Sequence, residues 1–213
     1  MRAMLLGSLL LLGVTTMAGA QDDCIKNLHW PEPGRWAEYR MSNKDKPPMT
    51  MRYSVVGTDQ RDGAELKWIE LKMEGKEPDK NSVYQMLVPG GGPRELSQVQ
   101  ELIFKSGSKP AMKMNGMMMK MMRAQLEKNS FLSNICEGVS LVGEESVTVP
   151  AGTFKATHFH NAKYDNDSWV SAAVPFAMVK STGKQGDIQL AATGDGAKSS
   201  ITETPQEMGG PGQ

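Results

Sequence analysis

The chain lacks an excess of charge of either sign: 24 lysines and arginines stand against 24 aspartates and glutamates. That balance gives no electrostatic footprint for nucleic acid, and no polybasic run is present that would favour an anionic lipid surface. Catalytic signatures are absent too. There is no Gly-x-Ser-x-Gly elbow, no His-Glu-x-x-His helix and no Cys–His pairing in a recognisable context. Val88-Pro89-Gly90-Gly91-Gly92-Pro93 lacks the Gly-Lys-(Ser/Thr) ending of a phosphate loop and reads as a wide turn. The expectation is a protein that is not an enzyme and carries no cofactor.

A long apolar run is missing as well. Leu5 to Val14 is the hydrophobic stretch of the N-terminus, and at about ten residues it falls short of the roughly 20 needed to span a bilayer. Preceded by Arg2 and followed by Ala18-Gly19-Ala20, it has the form of a secretory signal peptide over residues 1–20, cleaved after Ala20. Gln21-Asp22-Asp23 precede Cys24, so the small-residue box of a lipidated cysteine is not there. The expected product is soluble, without a transmembrane anchor, and periplasmic or secreted from a bacterium. Losing Arg2 leaves 23 basic against 24 acidic residues.

The chain has two cysteines, Cys24 and Cys136, in no Cys-x-x-Cys arrangement. An even count in an oxidising compartment predicts one structural disulfide between them. Residues 21–204 are long enough for a single domain with a real core, and 205–213 (PQEMGGPGQ) show no packing pattern and read as a flexible tail.

What the chain does have is strand rhythm. Met49, Met51, Tyr53 and Val55 alternate with Thr50, Arg52 and Ser54, a period of two. Asp62-Gly63 is a two-residue hairpin signal between that run and 65–73. Further runs at 36–41, 82–88, 99–105, 139–142, 146–149, 153–162, 168–174 and 187–192 bring the expectation to about ten strands. With no helices between them, they predict a mainly β fold: a single curved antiparallel sheet.

The exception is AMKMNGMMMKMMRAQ, with methionines at 112, 114, 117, 118, 119, 121 and 122. At about 100° per residue from Met117, Met121 falls near 40°, Met114 near 60°, Met118 near 100°, Met122 near 140°, Leu126 near 180° and Met119 near 200°. Lys120, Arg123 and Glu127 gather opposite, at roughly 240–300°. The spacing predicts one amphipathic helix over 116–128, with an apolar arc about 200° wide. Its thioethers suit an adaptable apolar surface or, in smaller groups, a soft-metal site for Cu(I). His158 and His160 lie two apart on a predicted strand and so share a face. They could chelate Zn²⁺ or Cu²⁺ with Asp165, Asp167 or His29 as a third ligand.

Val147-Thr148-Val149-Pro150-Ala151-Gly152-Thr153-Phe154-Lys155-Ala156, a strand, a Pro-x-Gly turn and a second strand, resembles a hairpin of exported bacterial β-rich proteins. Trp169-Val170-Ser171, Val174-Pro175-Phe176 and Val179-Lys180 look like its continuation. The architecture of those proteins is similar to the lipoprotein-carrier (Lol-type) half-barrel superfamily. The resemblance implies a curved sheet around an apolar hollow, with the Met-rich helix across its concave face.

Three readings follow. The first is a monomeric binder of an apolar ligand, a lipid or acyl chain, held by Met114, Met117, Met118, Met121, Met122 and Leu126. The second is a periplasmic copper-binding protein built on the Met cluster, with Met114, Met118, Met121, His158 and His160 as candidate ligands. The third is a structural or interaction module of the cell envelope, which predicts a filled barrel and an exposed Met face.

Overall fold

The computed structural model describes residues 17–26, 28–43, 46–114, 116–129, 136, 138–184 and 186–208. The elements follow chain order: helix α1 (Met17–Lys26), strands β1 (Trp36–Asn43), β2 (Lys46–Arg61), β3 (Ala64–Glu74), β4 (Ser82–Pro89), β5 (Glu101–Ser106) and β6 (Met112–Lys113), then helix α2 (Gly116–Asn129). Strands β7 (Val139–Val149), β8 (Gly152–Asn161), β9 (Asn166–Val170), β10 (Met178–Gly183), β11 (Gly186–Gly194) and β12 (Gln206–Glu207) complete the chain.

All twelve strands join one open sheet in the order β12-β6-β5-β4-β3-β2-β1-β11-β10-β9-β8-β7. Two meanders, β1–β5 and β7–β11, are stitched together where β1 pairs antiparallel with β11. The sheet is mainly antiparallel; β12 beside β6 is the parallel exception. Its curvature brings the tip of the β7–β8 hairpin back onto the sheet, where the Ala151 N–H donates to the Leu190 carbonyl at 3.2 Å.

The expected count of about ten strands is corrected to twelve, and the difference has three sources. Runs 139–142 and 146–149 are one strand, because a bulge at Leu141/Gly143 lets the ladder with β8 continue. The run expected to reach 174 stops at Val170, and the chain turns a corner at Phe176 (φ 61°) and Ala177 (φ 59°) before starting β10. The two-residue strands β6 and β12 carry no periodicity to find. Helix α1 is a further addition, and it overlaps the last residues of the expected leader; the rest of that leader, 1–16, lies outside the described residues. Within the stretch read as a tail, Gln206–Glu207 form β12, and 209–213 lie outside the described residues.

The alternation in β2 builds the core. Met51, Tyr53 and Val55 pair with Met73, Leu71 and Ile69 of β3, Ile69 with Met86 of β4, and Met86 with Leu102 of β5. Paired residues project to one face of a sheet, and Met51, Tyr53, Val55, Ile69, Met86 and Leu102 of this row are buried in the main cluster with Tyr39, Leu190, Trp30 and Phe176, with Leu71 packed against it. At the β2–β3 turn, Asp62 and Gly63 both have positive φ, 51° and 79°, as a hairpin of this length requires.

A second cluster gathers Cys24 and Leu28 against Cys136, Val139, Phe159, Val170 and Ala177. The Cys24–Cys136 disulfide has formed, with Cα atoms 5.6 Å apart, so α1 is tied to the chain entering β7. A third, smaller cluster of Ile103, Ala111 and Ile201, with Trp68 and Val83 packed against it, fastens the C-terminal segment to β3–β5. Beside it, the buried Glu70 carboxylate accepts from Gln85 Nε2 at 2.7 Å and from the Ser200 N–H at 2.9 Å. Gln85 Nε2 also donates to Ser199 Oγ at 2.6 Å. Glu70→Leu removes the carboxylate that accepts from Gln85 Nε2 and from the Ser200 N–H. Urea unfolding should show a loss of about 2 kcal/mol, with earlier proteolysis of 195–208.

Candidate functional site

The site is built around α2. Gly116 opens it, and the straight-chain residues that follow (Met, Lys, Arg, Gln, Leu, Glu) are good helix formers. The helix is seated at one side on the turn of 3₁₀ helix at Pro93–Gln98, where Leu96 and Val99 are buried. Arg123 Nε donates to the Val99 carbonyl at 2.7 Å, and the N–H of Met114, just before the helix, donates to the Leu102 carbonyl at 2.9 Å.

The structure divides the methionine arc in two. Met119 is buried within the main cluster, where Met114 and Met122 pack against it half-buried; Met118 is half-buried too. Met117 and Met121, one turn apart, remain 78% and 71% exposed. The inward arc therefore runs from about 100° to 200°, and the part nearest 0–40° faces solvent. Of the residues expected to hold an apolar ligand (Met114, Met117, Met118, Met121, Met122 and Leu126), Met117 and Met121 are exposed, and Met114, Met118 and Met122 are half-buried. Leu126 belongs to α2, but its side chain lies outside the described residues.

The cluster under Met119 is rich in the same residue: Met51, Met86 and Met178 are buried in it, and Met41 packs at its margin. Its polar side-chain groups are the Trp30 indole N–H, which donates to the Pro89 carbonyl at 3.1 Å, and two phenols. Tyr39, wholly buried, meets Tyr53 edge-on at 6.3 Å, and Tyr53 tilts against Phe176 at 5.6 Å. Burial, reinforced by the neighbouring Tyr53, pushes the Tyr39 hydroxyl far above the usual phenol range, and burial does the same to Tyr53. Both are neutral donors at any physiological pH. The Tyr39 hydroxyl has no hydrogen-bond partner among the described residues.

The histidine pair sits on β8 beside β9. His158 Nε2 and His160 Nδ1 lie 2.8 and 3.1 Å from the same Asp167 oxygen. His158 Nδ1 lies 3.1 Å from Glu145 Oε1, its ring stacks on Trp169 at 4.4 Å, and Trp169 Nε1 donates to Glu145. Of the expected third ligands, Asp167 is therefore brought to the pair, whereas Asp165 pairs with Lys184 and His29 is exposed. Glu145 and Trp169 were not foreseen; their places follow from the bulge in β7 and the β8–β9 register. Among the described residues no three of His, Cys, Asp and Glu have the disposition of a metal site.

Partial burial raises the Asp167 pKa, but hydrogen bonds from His158 and His160 outweigh it and hold the carboxyl below its usual value. A depressed carboxylate stabilises the fold above its unfolded pKa, about 3.9, and that contribution is lost as pH falls through the lower folded value. Asp167→Asn should therefore flatten the fall in stability below about pH 4, read from melting temperature against pH.

No protein-family model matches the chain, and no curated protein matches it. Among solved structures, it is similar to a protein described as exported, with a YmcC-like fold, from Bacteroides fragilis: 12% identity over 79% of this chain and 99% of that one, TM-score 0.41. It is also similar to a protein described as a lipoprotein from Parabacteroides distasonis: 10% identity over 78% of this chain and 98% of that one, TM-score 0.39.

Proposed function

We propose that this is an exported, non-catalytic protein that binds an apolar ligand, a lipid or acyl chain, between the inward face of α2 and the sheet. The observation that carries the reading is the seating of Met119, with Met114 and Met122 beside it, on a core that itself holds Met51, Met86 and Met178. Methionine is unbranched and polarizable, so such a core can repack around an inserted chain at little cost, where branched side chains would resist. Export is supported by the Cys24–Cys136 disulfide, a bond kept in oxidising compartments, and by the leader-like N-terminus. Among the described residues, no helix is long and apolar enough to cross a membrane. The half-barrel resemblance over roughly 139–193 supports the same reading.

Titration with a fluorescent fatty acid tests this. Saturable uptake, competed by unlabelled palmitate, is expected; no uptake would remove the reading. A second reading, an interaction module of the envelope, is favoured by the exposure of Met117 and Met121. Met117→Ser with Met121→Ser separates the two, because the ligand reading expects fatty-acid uptake to survive these outward changes.

A further inference from the structure

We propose that Tyr39 is the polar anchor of this site: its buried hydroxyl donates to the acyl oxygen of the ligand, a carboxyl or an ester carbonyl. The proposal rests on the reading just given and adds the class of head group. An unpaired donor in an apolar interior is unusual, because such a group loses its hydrogen bonds to water without replacement. Tyr39 is wholly buried in the main cluster, and its hydroxyl has no partner among the described residues. Among the described residues the other buried side-chain donor without a hydrogen bond, Arg35 Nε, lies 3.2 Å from the Asp195 carboxylate and is compensated by charge.

The position of the phenol is set by β1. Tyr39 pairs with Met51 of β2 and Leu190 of β11, so it projects from the same face as the methionine row that ends under α2. Phenylalanine would fill the same volume without an orphaned polar atom, and the tyrosine is unfavourable for stability alone. Flexible methionines lie within the cluster and at its margin, so a chain could displace them and bring one oxygen to the ring. The ligand must supply an acceptor, because the buried phenol stays protonated and can only donate along that bond. A pure hydrocarbon does not meet this need; an acyl group does.

Tyr39→Phe tests the anchor with three probes: cis-parinaric acid, its methyl ester, and diphenylhexatriene, an apolar rod without an acyl oxygen. Tyr39→Phe should weaken the acyl probes about tenfold and leave diphenylhexatriene unchanged. A loss confined to the acid identifies a free fatty acid as the source, and a loss with both identifies acyl esters as well. The ligand-free variant should melt no lower than the wild type, since a hydroxyl without a partner is removed. Equal binding of all probes by both proteins would overturn the anchor while leaving the apolar site standing. So would a Tyr39→Phe protein that melts clearly lower, because the hydroxyl would then have a structural partner. A wild type that takes up none of the probes removes the apolar site itself, and the anchor with it.

Discussion

Replacing Cys24 and Cys136 by serine should lower the melting temperature by about 10 °C or more. The disulfide spans 112 residues, and in the chain-entropy model a loop of that order gives roughly 4–5 kcal/mol. In a domain of this size each kcal/mol moves the midpoint by about 2–4 °C. The bond also closes the second cluster, where both half-cystines are buried with Leu28, Val139 and Phe159. Opening it should therefore release α1 from β7 before the rest of the sheet melts. Calorimetry of the double serine variant, with hydrogen exchange over 17–30, reads both effects. A variant that melts within about 2 °C of the wild type, where the model expects several times that, would show that α1 is held without the bond.

The second large effect is at Met119. Met119→Asp places a carboxylate where a buried thioether packs against the main cluster. The lost burial and the unpaired charge together should cost about 4 kcal/mol or detach α2 altogether. Met117→Asp, on the same helix but 78% exposed, should stay within about 0.5 kcal/mol of the wild type. Urea unfolding of the two variants, with exchange rates of the amides in 116–129, measures the contrast. Equal losses at the two positions would mean that the helix does not sit on the sheet through Met119.

That contrast was not legible in the sequence, although the helix was. Its angular pattern placed a Met-rich amphipathic element over 116–128, and the structure has α2 at Gly116–Asn129. Methionine fills the arc on both sides, however, so hydrophobicity alone could not say which part turns inward. The neighbours decide: the Val99 carbonyl takes Arg123 Nε, which at about 100° per residue lies beside Met119 on the helix and well away from Met117.

The strands follow the same logic. Where side chains alternate, as in β2, or a turn has its own residues, as at Asp62-Gly63, sequence and structure agree. Where a corner is made without glycine, as at Phe176-Ala177, there was no local signal. The positive φ angles there are stabilised by burial of Phe176 against Trp30 and Tyr53. Asp167 reaches the histidine pair only because β8 and β9 pair His160 with Asp167, a register that the spacing alone leaves open. The Tyr39 hydroxyl could not have been found from the sequence at all, since nothing in a tyrosine's neighbours along the chain tells whether its oxygen will have a partner.

The proposed binding of an acyl ligand between α2 and the sheet is tested by native mass spectrometry of the full protein purified from its native source. The expected result is a bound species that leaves as a lipid or fatty acid on collisional activation and is depleted in Tyr39→Phe. Only the bare protein mass, from material kept in non-denaturing buffer throughout, would contradict it.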